Sequence, residues 1–291
     1  MNGSGLTVAI TGGAGRVGRL MASSLREGGN RVRILDLPQA NFEGLEGLEN
    51  MPGDICDERY LAAALGGADV VVHLAAILPP VAEEQPDLTR RVNIEGTRSV
   101  LRAMKLVVPE SLLVFSSSVV VYGDTQMRKP PIDTSVPRSG RGPYPQSKIA
   151  AEEAVLASGV RSVILRISGV SVPDFLLPPE VWPFTANQRM EFVHVADVAG
   201  GVAAAATLDP GQVSAIHNIA GGETWRMTGQ DYSDAYLDAF QMPSAEAQFL
   251  DVSESFDYYD TESAVLSFGF SPTSFEQFQK LLVEAIARAF S

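Results

Sequence analysis

The stretch VAITGGAGRVG at residues 8–18 decides the fold. Leu6 to Thr11 reads as a short buried strand and Val17 to Glu27 as a helix. Gly12, Gly15 and Gly18 stand three residues apart at their junction. Small residues let the backbone approach a pyrophosphate, and the free amides at the helix start face its negative charge. The flanking strand and helix give this glycine pattern its meaning. A dinucleotide site follows, with Gly12, Gly15, Arg16, Val17 and Gly18 in its first turn.

Outward from that turn the chain alternates. Val32 to Leu37, Asp69 to Ala75, Leu112 to Ser116 and Val163 to Ile167 read as strands. Leu61 to Leu65, Asn93 to Leu106 and Tyr144 to Ala157 read as helices. This order predicts an α/β fold with a doubly wound parallel sheet and right-handed crossovers. The strands are almost continuously apolar, as helices on both faces require. Ligands of such a sheet bind beyond the carboxyl ends of its strands, here near residues 11, 36, 75 and 116. After Pro173 the alternation weakens. Val195 to Thr207, Gln230 to Phe240 and Ser274 to Ala289 read as helices, and Ser214 to Ile219 as a strand. We therefore expect a nucleotide-binding core over 1–170 and mainly a small C-terminal lobe over 171–291, with 190–220 partly returning to the core. Residues 247–267 show no clear period.

The 291 residues carry 22 Lys plus Arg against 35 Asp plus Glu, a net charge of −13. That sign opposes a nucleic-acid partner, which needs local positive charge. No stretch is apolar for long enough to span a bilayer, so no membrane partner is expected. The start of the chain lacks the pattern of a secretion signal, and a cytoplasmic location is the expectation. Cys56 is the single cysteine, which excludes an internal disulfide and a thiolate metal cluster. His73, His194 and His217 lie in different local settings, so no metal site is expected.

Asp36 ends the second strand, where a carboxylate accepts hydrogen bonds from adenosine ribose hydroxyls and repels a 2′-phosphate. It favours NAD over NADP, against which Arg16 and Arg33 are the available phosphate partners. Asp54, with Ile55 beside it, suits the adenine ring. The block FSSSVVVYG at residues 115–123 begins at a strand end, placing Ser116 and Ser118 near the same crevice. In PYPQSK, Tyr144 and Lys148 stand four residues apart and share a helix face. Pro145 fits the first helical turn. A tyrosinate can take the proton of an alcohol while a nicotinamide takes the hydride. Lowering a phenol from its ordinary value near 10 to about 7 requires roughly 4 kcal/mol of differential interaction, for which Lys148 is one source. Ser118 is the hydroxyl that would orient the reacting oxygen.

These residues together resemble the extended short-chain dehydrogenase/reductase family, and more closely its NAD-dependent epimerase/dehydratase group. TGGAGRVG at 11–18, HLAA at 73–76, Asn93, the serine block, YPQSK at 144–148 and FVHVADVA at 192–199 occur in the family's order. The resemblance covers about residues 6–200 well and the rest loosely. It implies a Rossmann core with a substrate lobe and NAD as cofactor. It implies adenosine contacts from Asp36, Asp54 and Ile55. Leu74, Ala75 and Ala76 would pass near the pyrophosphate and nicotinamide ribose. Asn93 would brace the active-site loops. Ser118, Tyr144 and Lys148 match the family's catalytic set. Lys148 would also hold the nicotinamide ribose. A homodimer through the helices near 93–106 and 144–157 is implied as well.

The chain departs from nucleotide-sugar enzymes of that group. Gly169 replaces the asparagine usual after the strand carrying LR, and the segment from Pro173 to Arg189 is short. Arg189 is one residue out of the usual register, with Met190 in its place, and Arg226 is the only arginine between Arg189 and Arg288. A diphosphate wants paired cationic donors. Val119 and Val120 follow Ser118, where dehydratases carry an Asp-Glu pair. Arg226, His194, Trp182 and Trp225 are candidates for the substrate pocket, and Trp182 with nearby prolines for a mobile cover. The expected activity is NAD-dependent dehydrogenation of a polar alcohol such as a sugar, sugar acid or hydroxy acid. A sugar or nucleotide-sugar epimerase with tightly bound NAD is the alternative, followed by a non-catalytic NAD-binding regulator.

Overall fold

A computed structural model of the chain describes residues 5–174, 177–208, 215–244, 247–251 and 256–289. Strand β1 (Thr7–Thr11) leads through the glycine turn into α1 (Arg16–Glu27) and back into β2 (Arg31–Asp36). A short edge strand, β3 (Glu49–Pro52), and α2 (Glu58–Leu65) follow. Asp57 starts α2 by accepting bonds from the amides of Arg59 and Tyr60, which satisfies two of its free donors. Then come β4 (Val70–His73), the single turns α3 (Val81–Glu84) and α4 (Pro86–Thr89), and α5 (Thr97–Val107). The core continues with β5 (Leu112–Ser118), α6 (Pro143–Ser158) and β6 (Ser162–Ile167).

With β10 (Ala215–Ile219), the seven-stranded sheet has the order β10-β6-β5-β4-β1-β2-β3, with every neighbouring pair parallel. The chain winds outward one way from β1 and the other way from β4. The switch point between them opens a crevice at the carboxyl edge. Its register pairs Thr11 with His73, and Thr11 with Leu35 on the other side.

One apolar layer, including Val8, Ile10, Met21, Ile34 and Val202, lies under α1 and the later helix α7 (Val195–Ala206). A second layer, including Ala9, Leu65, Val71, Met104 and Phe115, lies under α2, α5 and α6. Alternate residues of each strand thus enter opposite layers, which is why the strands are apolar throughout.

Beyond β6, two short pairings extend the carboxyl edge. β7 (Val170–Ser171) runs parallel to β9 (Val193–His194), and β8 (Arg189–Met190) runs antiparallel to β11 (Met227–Thr228). Helix α7 packs on α1, and β10 (Ala215–Ile219) joins the sheet beside β6. Helices α8 (Gly229–Ala239) and α10 (Phe275–Ala289) form the small C-terminal lobe, and α9 (Glu262–Phe268) packs on the sheet near β10. Ser214, which the sequence places at the start of β10, lies outside the described residues.

Three differences from the sequence reading have physical causes. β3 was not expected, because Glu49-Asn50-Met51-Pro52 is a polar edge strand with no buried face. The helix expected from Asn93 is preceded by a π-helical stretch at Arg90–Gly96, a wider winding that apolar spacing does not announce. Among the described residues of the aperiodic stretch, Phe249 bridges Trp182 and Tyr259 bridges Ile132 as single pairings rather than a ladder, before α9 begins.

Ile34 is fully buried in β2 against the glycine turn. Ile34→Ala is expected to cost about 3 kcal/mol of stability, read as a lower urea midpoint with an unchanged denaturant slope.

Candidate active site

The glycine turn is shaped by contact with β4. Gly12 has φ +68, and a Cβ there would meet the Ala75 amide nitrogen at 2.7 Å. A Cβ on Gly18 would meet the Gly13 carbonyl oxygen at 2.5 Å. Side chains are thus excluded where the turn crosses the sheet edge and where α1 meets the turn. Gly15 begins α1 and no side chain caps it, so the first helical amides keep their donors for an anion.

Asp36 braces this turn. One carboxylate oxygen accepts the Ala14 amide at 3.0 Å and the other the Leu37 amide at 2.8 Å. A carboxylate has about four acceptor positions, so capacity remains for ribose hydroxyls. Asp54 accepts the Cys56 amide at 2.9 Å and pairs with Arg91 at 2.7 Å. Arg91 is a cleft residue that the sequence did not single out, because its partner lies 37 residues away. Arg16 lines the cleft and pairs with Asp174, both about half exposed. Arg33 is not part of the cleft wall. It donates to the carbonyls of Ala64 and Gly66 and pairs with Glu49.

A hydroxyl chain fixes the floor. The Thr97 hydroxyl donates to the Asn93 carbonyl at 2.7 Å, so it accepts from His73 Nε2 at 2.9 Å. His73 Nδ1 then accepts from the Thr11 hydroxyl at 2.6 Å. The imidazole is neutral, and burial pushes its pKa down to about 3, with Lys148 acting in the same direction. Asn93, 2% exposed, stands behind the cleft wall. Its side chain accepts the Ile77 amide and donates to the Ile77 carbonyl and the Ser147 hydroxyl. Ser147 donates to the Tyr144 carbonyl at 2.7 Å, so Asn93 ties the loop after β4 to α6.

The cleft has a volume of about 730 Å³, and its wall includes Gly12, Gly15, Arg16, Val17, Gly18, Asp36, Asp54 and Ile55. The same wall continues through Leu74, Ala75, Ala76, Ser116, Ser118, Tyr144 and Lys148. Ser117, Ser168 and Val170 also line it, beyond the residues named from sequence.

At the inner end Tyr144 is 8% exposed and Lys148 4%. Lys148 Nζ donates to the Ser116 carbonyl at 2.8 Å and lies 5.8 Å from the Tyr144 ring centre. Burial pulls the ammonium down to about 8, opposed by the charge of Glu152. Burial pushes the Tyr144 phenol well above its usual range, opposed by a hydrogen bond with Ser118. Desolvation therefore outweighs any help Lys148 gives the phenolate, and Tyr144 rests as a neutral phenol.

The two tryptophans do not line the cleft. Trp182 and Trp225, 5% and 1% exposed, sit in the aromatic core of the small lobe with Phe184, Tyr232 and Phe278. His194 packs its ring edgewise on Phe278, 5.8 Å between centres. Arg189 is held by the fully buried Asp257 at 2.8 Å, and Arg226 by the fully buried Glu191 at 3.0 Å. Both guanidiniums tie the lobe together. Among the described residues, no group of three or more His, Cys, Asp or Glu is arranged to hold a metal ion. No described helix is long and apolar enough to cross a membrane.

Residues 8–174 match the NAD dependent epimerase/dehydratase family. The chain belongs to that family. Relatives in sequence include the 3 beta-hydroxysteroid dehydrogenase type 7 of Rattus norvegicus, 32% identical over 170 residues, 54% of this chain and 49% of the relative. The UDP-glucose 4-epimerase of Streptomyces lividans is 31% identical over 192 residues, 64% of this chain and 54% of the relative. The chain thus matches about half the length of these curated relatives. A solved UDP-glucose 4-epimerase of Thermotoga maritima with UDP-glucose superimposes with a TM-score of 0.84 at 20% identity, covering 98% of this chain and all of that one. A short-chain dehydrogenase/reductase superfamily protein from Agrobacterium tumefaciens with bound NAD gives 0.80 at 22% identity, covering 98% of each chain. The family's fold therefore extends through the small lobe as well as the core.

Gly12→Ala is expected to abolish dinucleotide binding measured by calorimetry and to lower the melting temperature, since the added methyl meets backbone. His73 is neutral when folded, with a pKa of about 3 against an ordinary 6.5. Unfolded chains then bind more protons between those values, so stability falls as pH drops from about 6.5 towards 3, by up to about 1.4 kcal/mol per pH unit from this group. His73→Gln is expected to flatten that slope in urea titrations.

Proposed function

We propose that the protein is an NAD-dependent oxidoreductase that moves a hydride between NAD and a polar alcohol, such as a sugar, sugar acid or hydroxy acid. The observation that carries this reading is the buried Tyr144 and Lys148 at the inner end of the cleft, with Ser118 on the same wall. The glycine cradle, the uncapped start of α1 and the Asp36 carboxylate fit a dinucleotide that carries a free 2′-hydroxyl. NAD bound there supplies a hydride-accepting carbon and a positively charged ring. In reduction the neutral Tyr144 phenol gives its proton to the forming alkoxide. In oxidation it first releases that proton to solvent, a loss that the positive nicotinamide and Lys148 favour, and the phenolate then takes the proton of the substrate hydroxyl. Ser118 donates to the reacting oxygen and fixes its distance from the phenol. Lys148 has three donors, one of them on the Ser116 carbonyl, and offers another to a ribose hydroxyl. The low exposure of both side chains keeps water from competing for the proton.

The substrate assignment rests on the two lobe arginines. Arg189 and Arg226 are committed to buried carboxylates, so neither stands ready to clamp a diphosphate. That favours a free alcohol over a nucleotide-linked sugar. The epimerase relative of Streptomyces lividans supports the second reading, transient oxidation with the hydride returned to the same substrate. A homodimer through the outer faces of α5 and α6 belongs to the same proposal, since Leu106 and Leu156 there are 77% and 53% exposed.

Tyr144→Phe is expected to retain NAD binding and lose about 100- to 10,000-fold in kcat. Unchanged turnover would remove Tyr144 from the proton path. A panel of polyols, sugar acids, hydroxy acids, a 3β-hydroxysterol and UDP-glucose, assayed for both NADH and product stereochemistry, separates the classes. The expected result is net NADH from a free polar alcohol. Isomerised UDP-glucose without NADH would replace the first reading with the second.

A further inference from the structure

Next to the reacting pair lies a buried charge cluster that the chemistry above does not use. Glu152 sits one turn beyond Lys148 on α6 and has 0% exposure. Its Oε1 accepts from the Ser117 hydroxyl at 2.5 Å and from Arg166 Nε at 3.0 Å. Its Oε2 accepts from Arg166 Nη2 at 2.8 Å and Arg138 Nη1 at 3.4 Å. Arg166, 3% exposed on β6, also donates to the Thr134 carbonyl and lies 4.8 Å from the Tyr122 ring centre. Tyr122 donates to Asn218 on β10, and Asn218 donates to the carbonyls of Ile132 and Asp260. One glutamate thereby joins the reacting helix to β5 and β6, and Arg166 continues through Tyr122 and Asn218 to the chain that enters α9.

Stability alone does not account for this arrangement. Desolvating both charges offsets most of their attraction, and apolar residues of equal volume commonly stabilise a fold as well. A two-point carboxylate–guanidinium pair adds directional geometry, which apolar packing lacks. We propose that Glu152, clamped by Arg166, is the positioning residue of this site, setting α6 over β5 and β6 and holding a fixed negative charge one turn from Lys148. The proposal rests on Tyr144 and Lys148 being the reacting pair.

The groups around Lys148 define what Glu152 does there. Tyr144 shares its helix, neutral His73 comes from β4, and Glu83 of α3 accepts the Tyr144 amide. The Tyr122 ring centre lies 4.8 Å from the Arg166 guanidinium, and both Arg166 and Arg138 pair with Glu152 itself. On the neighbouring α5, Arg98 and Arg102 pair with Glu95 and Glu58. Glu152 raises the Lys148 pKa against burial, so removing its charge leaves burial unopposed and Lys148 loses its proton at lower pH.

The chain has four lysines, Lys105, Lys129, Lys148 and Lys280, so ¹³C-labelled lysine Cε signals are few enough to assign with Lys148→Met. In Glu152→Gln the Lys148 titration midpoint is expected to fall by about one pH unit. The alkaline limb of kcat should move the same way, with kcat reduced more than KM. Glu152→Asp, which keeps the charge, should keep most of the wild-type midpoint. The combination of Glu152→Met with Arg166→Met guards against simple misfolding. It should melt near the wild-type temperature yet show reduced kcat, since the directional pair that seats α6 is gone. A folded Glu152→Gln variant with a wild-type midpoint, or a folded double variant with wild-type turnover, overturns the proposal. The midpoint reads Lys148 directly, so that failure is distinct from a Tyr144→Phe variant that stays active.

Discussion

An ammonium that is 4% exposed has to be held by the protein rather than by water, and Lys148 is that group. Its Nζ bonds to the Ser116 carbonyl at the end of β5, and Glu152 supplies opposing charge one turn along the same helix. Both partners are available only if α6 lies across the carboxyl ends of β5 and β6. The sheet order, the buried seam under α6 and the Asn93–Ser147 bond all serve that placement. Tyr144 enters the cleft because it shares a helix face with Lys148. The same burial that confines the pair favours the neutral phenol.

The cleft itself follows from parallel winding. β1 and β4 are neighbours, but the chain leaves them on opposite faces, and the gap at their carboxyl ends is bounded by Gly12 and Ala75. Having no side chain, Gly12 lets the turn close onto the Ala75 backbone at the edge of that gap. The Thr11–His73–Thr97 hydroxyl chain holds the two strand ends in register below it. The small lobe has a different construction. Its aromatic core surrounds Trp182 and Trp225, and two buried carboxylates hold Arg189 and Arg226.

The core was legible in the sequence because each signal was local. Apolar runs, glycine turns and helix periods between Thr7 and Ile167 each describe a few adjacent residues, and a parallel sheet follows from their order. The glycine turn, Asp36, the HLAA stretch and Tyr144 with Lys148 fall on one cleft, since a switch point gathers strand ends regardless of loop detail. What the sequence did not disclose depends on distant pairing. Arg91 with Asp54 is a pairing that a linear reading cannot see, and Arg166 with Glu152 are buried charges that it leaves on the surface. The tryptophans stayed open between pocket and core in the sequence, because an isolated aromatic looks the same in either, and the structure puts them in the core. The edge strand β3 and the π-helical stretch before α5 carry no hydrophobic period at all.

The most direct test is a crystal structure of the protein with NAD and an unreactive alcohol analogue. The account predicts nicotinamide C4 and the Tyr144 hydroxyl on the same alcohol centre, Ser118 bonded to its oxygen and Lys148 on the ribose. A nicotinamide turned out of the inner cleft, or a Tyr144 hydroxyl beyond hydrogen-bond reach of the analogue in the closed form, contradicts it.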